Sequence, residues 1–145
     1  MRRLGLSLAA MFILANLLAV PAMAVDNSAD YTIYYEDGSY AIVTLNSAPT
    51  RSSTDEIKAY TYYNPLGQRC FTYRLLASFT YDGMTSRADS ADYTVTIHRQ
   101  GWDISTHSEY VSGNTAYGRA TFTGPNGESR AASLTLTCDK NGNVT

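Results

Sequence analysis

Residues 71–81 read FTYRLLASFTY. Phe71, Tyr73, Leu75, Ala77, Phe79 and Tyr81 alternate with Thr72, Arg74, Leu76, Ser78 and Thr80. Apolar positions at period two match a β-strand, whose successive side chains point to opposite faces. One face is buried and the other mainly wet, as in an antiparallel sheet lying on a core.

Upstream, residues 57–63 form a second β-rich run, and Asn64-Pro65-Leu66-Gly67 has the residue order of a type I turn. Further back, YTIYYE (31–36) and YAIVTL (40–45) flank Asp37-Gly38. Asp-Gly between β-rich runs signals a two-residue hairpin. Pairing Glu36 with Ser39 then predicts Tyr35 opposite Tyr40 and Ile33 opposite Ile42, all on one face. The stretch 46–56, NSAPTRSSTDE, has no apolar period and reads as a polar linker. Downstream, Asp82-Gly83 opens a polar loop through Ala91, and Tyr93, Val95 and Ile97 alternate in a further strand. A short strand follows at 102–105, then Ser112-Gly113-Asn114 as a turn. Ala116, Gly118, Ala120 and Phe122 face inward, their small side chains leaving room for a neighbour such as Trp102. After the Gly124-Pro125-Asn126-Gly127 turn, Ala132, Leu134, Leu136 and Cys138 end the last strand, and 139–145 is a polar tail. About eight short strands with closely spaced turns predict an all-β domain. The expected architecture is an immunoglobulin-like antiparallel β-sandwich, with an open barrel as the alternative.

The first residues, MRRLGLSLAAMFILANLLAVPAMA, join two arginines, an uncharged apolar run and an Ala-x-Ala site. This is the pattern of a cleaved secretory signal, a helix over residues 1–24, which leaves one domain over 25–145. Secretion to the extracellular space is the expected localisation, with no membrane association after cleavage. The full chain has a net charge of −2, and its only lysines are Lys58 and Lys140. A mildly acidic, lysine-poor chain lacks the electrostatic footprint of a nucleic-acid binder.

Cys70 and Cys138 are the two cysteines, and an even count after an export signal suggests one disulfide. Closing so long a loop is worth about 4 kcal/mol in the chain-entropy picture. The strand pattern opposes the pairing. Cys138 shares the inward face of Leu134 and Leu136, whereas Cys70 falls on the outward face next to Phe71. A disulfide therefore needs a bulge near residues 69–70 or burial of both faces there; two separate thiols are the alternative.

Several words follow one another along the chain: Tyr60-Thr61-Tyr62-Tyr63-Asn64 with Gly67, Phe79-Thr80-Tyr81 with Gly83, and Tyr93-x-Val95-x-Ile97 with Trp102-x-Ile104-Ser105. Ser112-Gly113-Asn114-x-Ala116 and Leu134-Thr135-Leu136-Thr137-Cys138 follow. Over residues 57–142 the chain resembles the small, uncharacterised secreted β-proteins of Gram-positive gut bacteria. That resemblance implies a compartment and a fold, and no activity. Such proteins often place a cysteine in the loop after the Phe-Thr-Tyr-x-Gly word; here 83–91 has none and Cys70 stands instead.

No catalytic word is present. There is no G-x-S-x-G and no S-x-x-K. His107-Ser108-Glu109 lacks the cysteine pair that zinc deaminases add to an H-x-E word. His98, Asp103, His107 and Glu109 have no diagnostic ligand spacing, so no metal and no cofactor is expected. Turn acids such as Asp37, Asp82 and Asp139 have an ordinary use in bonding their own backbone. Twelve tyrosines are the unusual feature, and Tyr34, Tyr63 and Tyr117 fall on the solvent side of their strands. The reading is a non-enzymatic module that binds an extracellular glycan, cell-wall polymer or protein through aromatic side chains. A bacteriocin-like secreted effector and a small extracellular hydrolase are the alternatives.

Overall fold

A computed structural model of the chain describes residues 30–49 and 52–145. The proposed signal segment, 1–24, lies outside the described residues. Eight strands and no helix occur among them. They are β1 (Tyr31–Tyr34), β2 (Tyr40–Pro49), β3 (Ser53–Tyr63), β4 (Arg69–Tyr81), β5 (Ser86–Ile97), β6 (Asp103–Ser112), β7 (Thr115–Thr123) and β8 (Ser129–Thr137). β1 to β5 form one antiparallel sheet in sequence order, and β6 to β8 form a second. Inner-face residues of β3, β4 and β5 pack against the second sheet, so the arrangement is a two-layer β-fold. Neighbours within each sheet are consecutive in sequence. The interleaved Greek-key order of immunoglobulin domains is thus absent from the described strands.

The alternation in β4 does what its sequence implies, except that Thr72 on the outer face is also buried. Phe71, Tyr73, Leu75, Ala77 and Phe79 are buried, and Arg74, Leu76 and Ser78 are partly exposed on the other face. Phe71 stacks on Phe122 of β7 at a ring-centroid distance of 3.8 Å, joining the two sheets. Small residues on β7 make this approach possible, but Trp102 is not what fills the space. A Cβ on Gly118 would stand 2.5 Å from the Tyr73 hydroxyl and 2.9 Å from a Leu75 methyl. Trp102 packs instead on Tyr62 and Phe71.

The first hairpin has a different register from the expected one. Tyr34 pairs with Tyr40 and Ile33 with Ala41. A two-residue type I′ turn needs positive φ at both central residues, and Gly38 alone has it, at 81°. The chain instead uses a three-residue loop, with Tyr35 N–H bonded to Ser39 C=O and Gly38 N–H to Tyr35 C=O. This is a type I turn closed by a left-handed glycine. The one-residue shift turns Tyr40 and Ile42 outward and puts Ala41, Val43 and Leu45 in the core. The same bonding pattern recurs at Asn64–Gln68, Gly124–Glu128 and Asp139–Asn143.

Three polar stretches prove to be structured. The expected linker 46–56 is largely strand: Asn46 pairs with Ile57, and Ser47 with Glu56. The expected loop 83–91 is mostly β5, where Ala88 is buried opposite Phe79. The expected tail folds back, with Thr137 and Thr145 exchanging backbone hydrogen bonds and Val144 packing on the core. The strands are longer than expected, β4 reaching 13 residues, because polar segments join the ladders.

The cysteines are not bonded to each other. The bulge that their pairing required does exist: Tyr62 pairs with Phe71 and Tyr63 with Arg69, which skips Cys70 and turns it into the core. The far partner is in the wrong place. The carbonyl of Cys138 accepts a hydrogen bond from Ser86, which pairs with Tyr81 at the opposite end of β4 from Cys70. That strand spans on the order of 30 Å, whereas disulfide Cα atoms lie within about 7 Å. Burial pushes both thiols up in pKa, which disfavours the reactive thiolate.

Candidate functional site

Because the chain runs up and down, alternate connections gather at one end. These are the turns at 36–38 and 65–67, the 98–102 connection and the 125–127 turn. They enclose a cleft of about 630 Å³ lined by Asp37, Tyr62, Asn64 to Leu66, Arg99, Trp102, Pro125 to Glu128 and Arg130. Its size suits a bound side chain or small group.

Arg130, on β8, is the most constrained residue of the cleft. Its Nε donates to the Tyr62 hydroxyl at 3.0 Å, its Nη1 to the Ser129 carbonyl at 3.2 Å, and its Nη2 to Asp37. The Tyr35 and Tyr62 rings lie 5.3 and 5.4 Å from its guanidinium carbon, within cation–π range. Partial burial works against the charge, but Tyr62 and Asp37 outweigh it and hold the pKa above its ordinary value. Asp37 is held below the usual carboxylate range chiefly by the Ser39 hydroxyl and amide, with Arg130 adding to them. The Glu128 carboxylate accepts the Asn126 N–H at 2.9 Å within its own turn. Arg99 differs: it is exposed, and no described side chain hydrogen-bonds or ion-pairs with its guanidinium.

The tyrosines singled out in the sequence lie on two surfaces. Tyr34 and Tyr63 join through Tyr40 in a row across β1, β2 and β3. The Tyr34–Tyr40 centroids are 6.2 Å apart and the Tyr40–Tyr63 centroids 4.8 Å. Arg69 lies 5.8 Å over the Tyr63 ring. Tyr117 is on the other sheet, stacked on Tyr110 at 4.8 Å. The Tyr40–Tyr63 and Tyr110–Tyr117 pairs are nearly parallel, at 7° and 12°, so their rings cover each other's faces. Tyr34 is the open one, 79% exposed.

The histidines are separate. His98 bonds Thr72 at 3.0 Å, and burial, with Arg69 and Arg74 nearby, lowers its pKa. His107 contacts Tyr93, five positions before His98 and therefore about 16 Å along the strand. The Asp103 carboxylate accepts the Ile104 N–H at 2.8 Å. No group of three metal-ligating side chains occurs among the described residues. No protein family, curated protein or solved structure matches this chain.

Sequence reasoning missed the cleft. Its residues come from four turns spread between Asp37 and Arg130, and each alone looks like turn chemistry. The available signal was Trp102, the chain's single tryptophan, placed beside a Gly101 turn.

Proposed function

We propose that the chain is a secreted, non-enzymatic interaction module that holds a protein partner at its cleft end. The carrying observation is which groups the cleft offers to solvent. Leu66 is 81% exposed, and Pro65, Pro125 and Arg99 are exposed around it. The aromatic rings of the cleft are covered, with Trp102 at 6% and Tyr62 at 2% exposure. A sugar ring needs an open aromatic face to stack on. Aliphatic groups beside a guanidinium suit an apolar side chain and a carboxylate of a protein segment. Arginine without lysine is also the composition of protein interfaces. The secretory pattern of residues 1–24 supports an extracellular setting.

The test is saturable capture of extracellular proteins by the immobilised chain, beside co-sedimentation with peptidoglycan, cellulose, chitin and mucin. The expected result is a protein ligand whose binding is lost in Leu66→Ser and weakened at least tenfold in Arg99→Ala. Sedimentation with a polymer that survives both substitutions but fails in Tyr34→Ala would move the site to the sheet face and overturn the reading.

A further inference from the structure

β5 and β6 lie side by side without sharing a backbone ladder. Side chains close this seam. The Tyr93 hydroxyl lies 3.0 Å from His107 Nε2, and His107 Nδ1 lies 2.9 Å from Glu109 Oε2. The other Glu109 oxygen accepts the Tyr73 hydroxyl at 2.7 Å. The register explains the convergence. His107 pairs with Ala120 and Glu109 with Gly118, residues whose faces are buried between the sheets. Gly118 leaves the space through which the Tyr73 hydroxyl reaches Glu109.

The roles follow from donor and acceptor chemistry. A carboxylate only accepts, so Glu109 selects the imidazole tautomer with its proton on Nδ1. Nε2 then carries a lone pair, and the Tyr93 phenol donates to it. This is the order of nucleophile, base and orienting acid found in hydrolytic triads. Tyr73, at the other side of Glu109, is fully buried, and burial and that carboxylate raise its pKa far above the ordinary value. It stays a donor, while Tyr93 is partly exposed.

We infer that Tyr93 is an activated phenol, a modification site that accepts one acyl group from an activated acyl donor. Tyr93 Oη forms a bond to the acyl carbon, and the bond from that carbon to the leaving group breaks, its electron pair departing with the leaving group. The phenol proton passes to His107 Nε2, where Glu109 balances the imidazolium. No oxidation state changes. The product is an aryl ester, and the half-exposed His107 returns its proton to solvent.

The test is acetylation of the whole protein by N-acetylimidazole, with each tyrosine followed by peptide mass mapping. Tyr34, Tyr31 and Tyr110 are exposed internal references. Tyr93 is expected to react at least tenfold faster than Tyr34. In His107→Gln that lead disappears while the Tyr34 rate stays the same. The wild-type comparison of Tyr93 with Tyr34 needs no variant. The groups facing the imidazole are Tyr93 from β5 and Glu109 from β6, with Tyr73 of β4 behind Glu109; β7 presents Ala120. Acetylation of Tyr34 as fast as Tyr93, or a lead that persists in His107→Gln, would overturn the inference.

Discussion

The two ends of the interior are built differently, although the same strands run through both. Toward the cleft, β3 and β4 supply Tyr60, Tyr62, Phe71 and Tyr73, which pack with Trp102 and Phe122. Toward the far end, β3 supplies Thr54, Glu56 and Lys58, all buried. There the Glu56 carboxylate accepts the Ser47 hydroxyl at 2.5 Å and the Thr54 hydroxyl. Lys58 Nζ donates to the Thr135 carbonyl of β8 at 3.0 Å. One end is held by apolar burial and ring contact, which need no specific partner. The other adds to the buried Phe79 and Leu136 polar groups that are tolerable inside only because each is paired. No buried side-chain nitrogen or oxygen among the described residues lacks a partner. The polar end also closes an edge: Lys58 occupies one outward carbonyl of β8, and Thr145 pairs with Thr137 beside it. An open strand edge is a template for other chains, so polarity here serves closure.

The largest expected effect comes from the aromatic end. Phe122→Ala should cost about 3–5 kcal/mol, because it removes a ring stacked across the sheets and leaves a cavity. Urea unfolding measures it. Glu56→Ala should cost about 1–3 kcal/mol by leaving the Ser47 and Thr54 hydroxyls without their acceptor. If the Glu56 variant loses more than the Phe122 variant, the contrast between the ends is wrong.

Lys58→Met should change stability at neutral pH by no more than about 1 kcal/mol, since the apolar chain fills the same space. Its signature lies in pH. Burial lowers the Lys58 pKa below 10.5, so the unfolded chain binds more protons in the window just under that value. Stability from this group therefore rises as pH rises toward 10.5. Tyr60 and Tyr73 have raised pKa values and act in the opposite sense above about 10. The difference between wild type and Lys58→Met isolates the lysine; equal alkaline slopes would show that Lys58 is not desolvated. The smallest effect belongs to the outer surface. Tyr117→Ala should cost less than about 1 kcal/mol, the value of one cross-strand pair, as read by thermal unfolding.

Strand class was legible in the sequence because period-two alternation in 71–81 and 116–122 has one physical cause, a buried face. The turns were legible through their glycines, but the first register was not. Asp37-Gly38 permits a two-residue or a three-residue loop, and the choice depends on which face of β2 the core accepts. Stretch 46–56 looked like a linker because its inward residues are polar, and only the Glu56 and Lys58 bonds make that possible. Tyr34 is exposed and Tyr63 and Tyr117 are partly so, and their stacking partners depend on cross-strand register.

Local patterning was enough for an all-β chain, an alternating core and the positions of most turns, because these depend on neighbours within a few residues. Tertiary structure decided the separation of Cys70 from Cys138, the gathering of four turns around Arg99 and Arg130, and the meeting of Tyr93 with His107. Those are distances between residues far apart in the chain, fixed by strand order and register. Alternation of residue types carries no information about either until two sheets compete to bury the same faces.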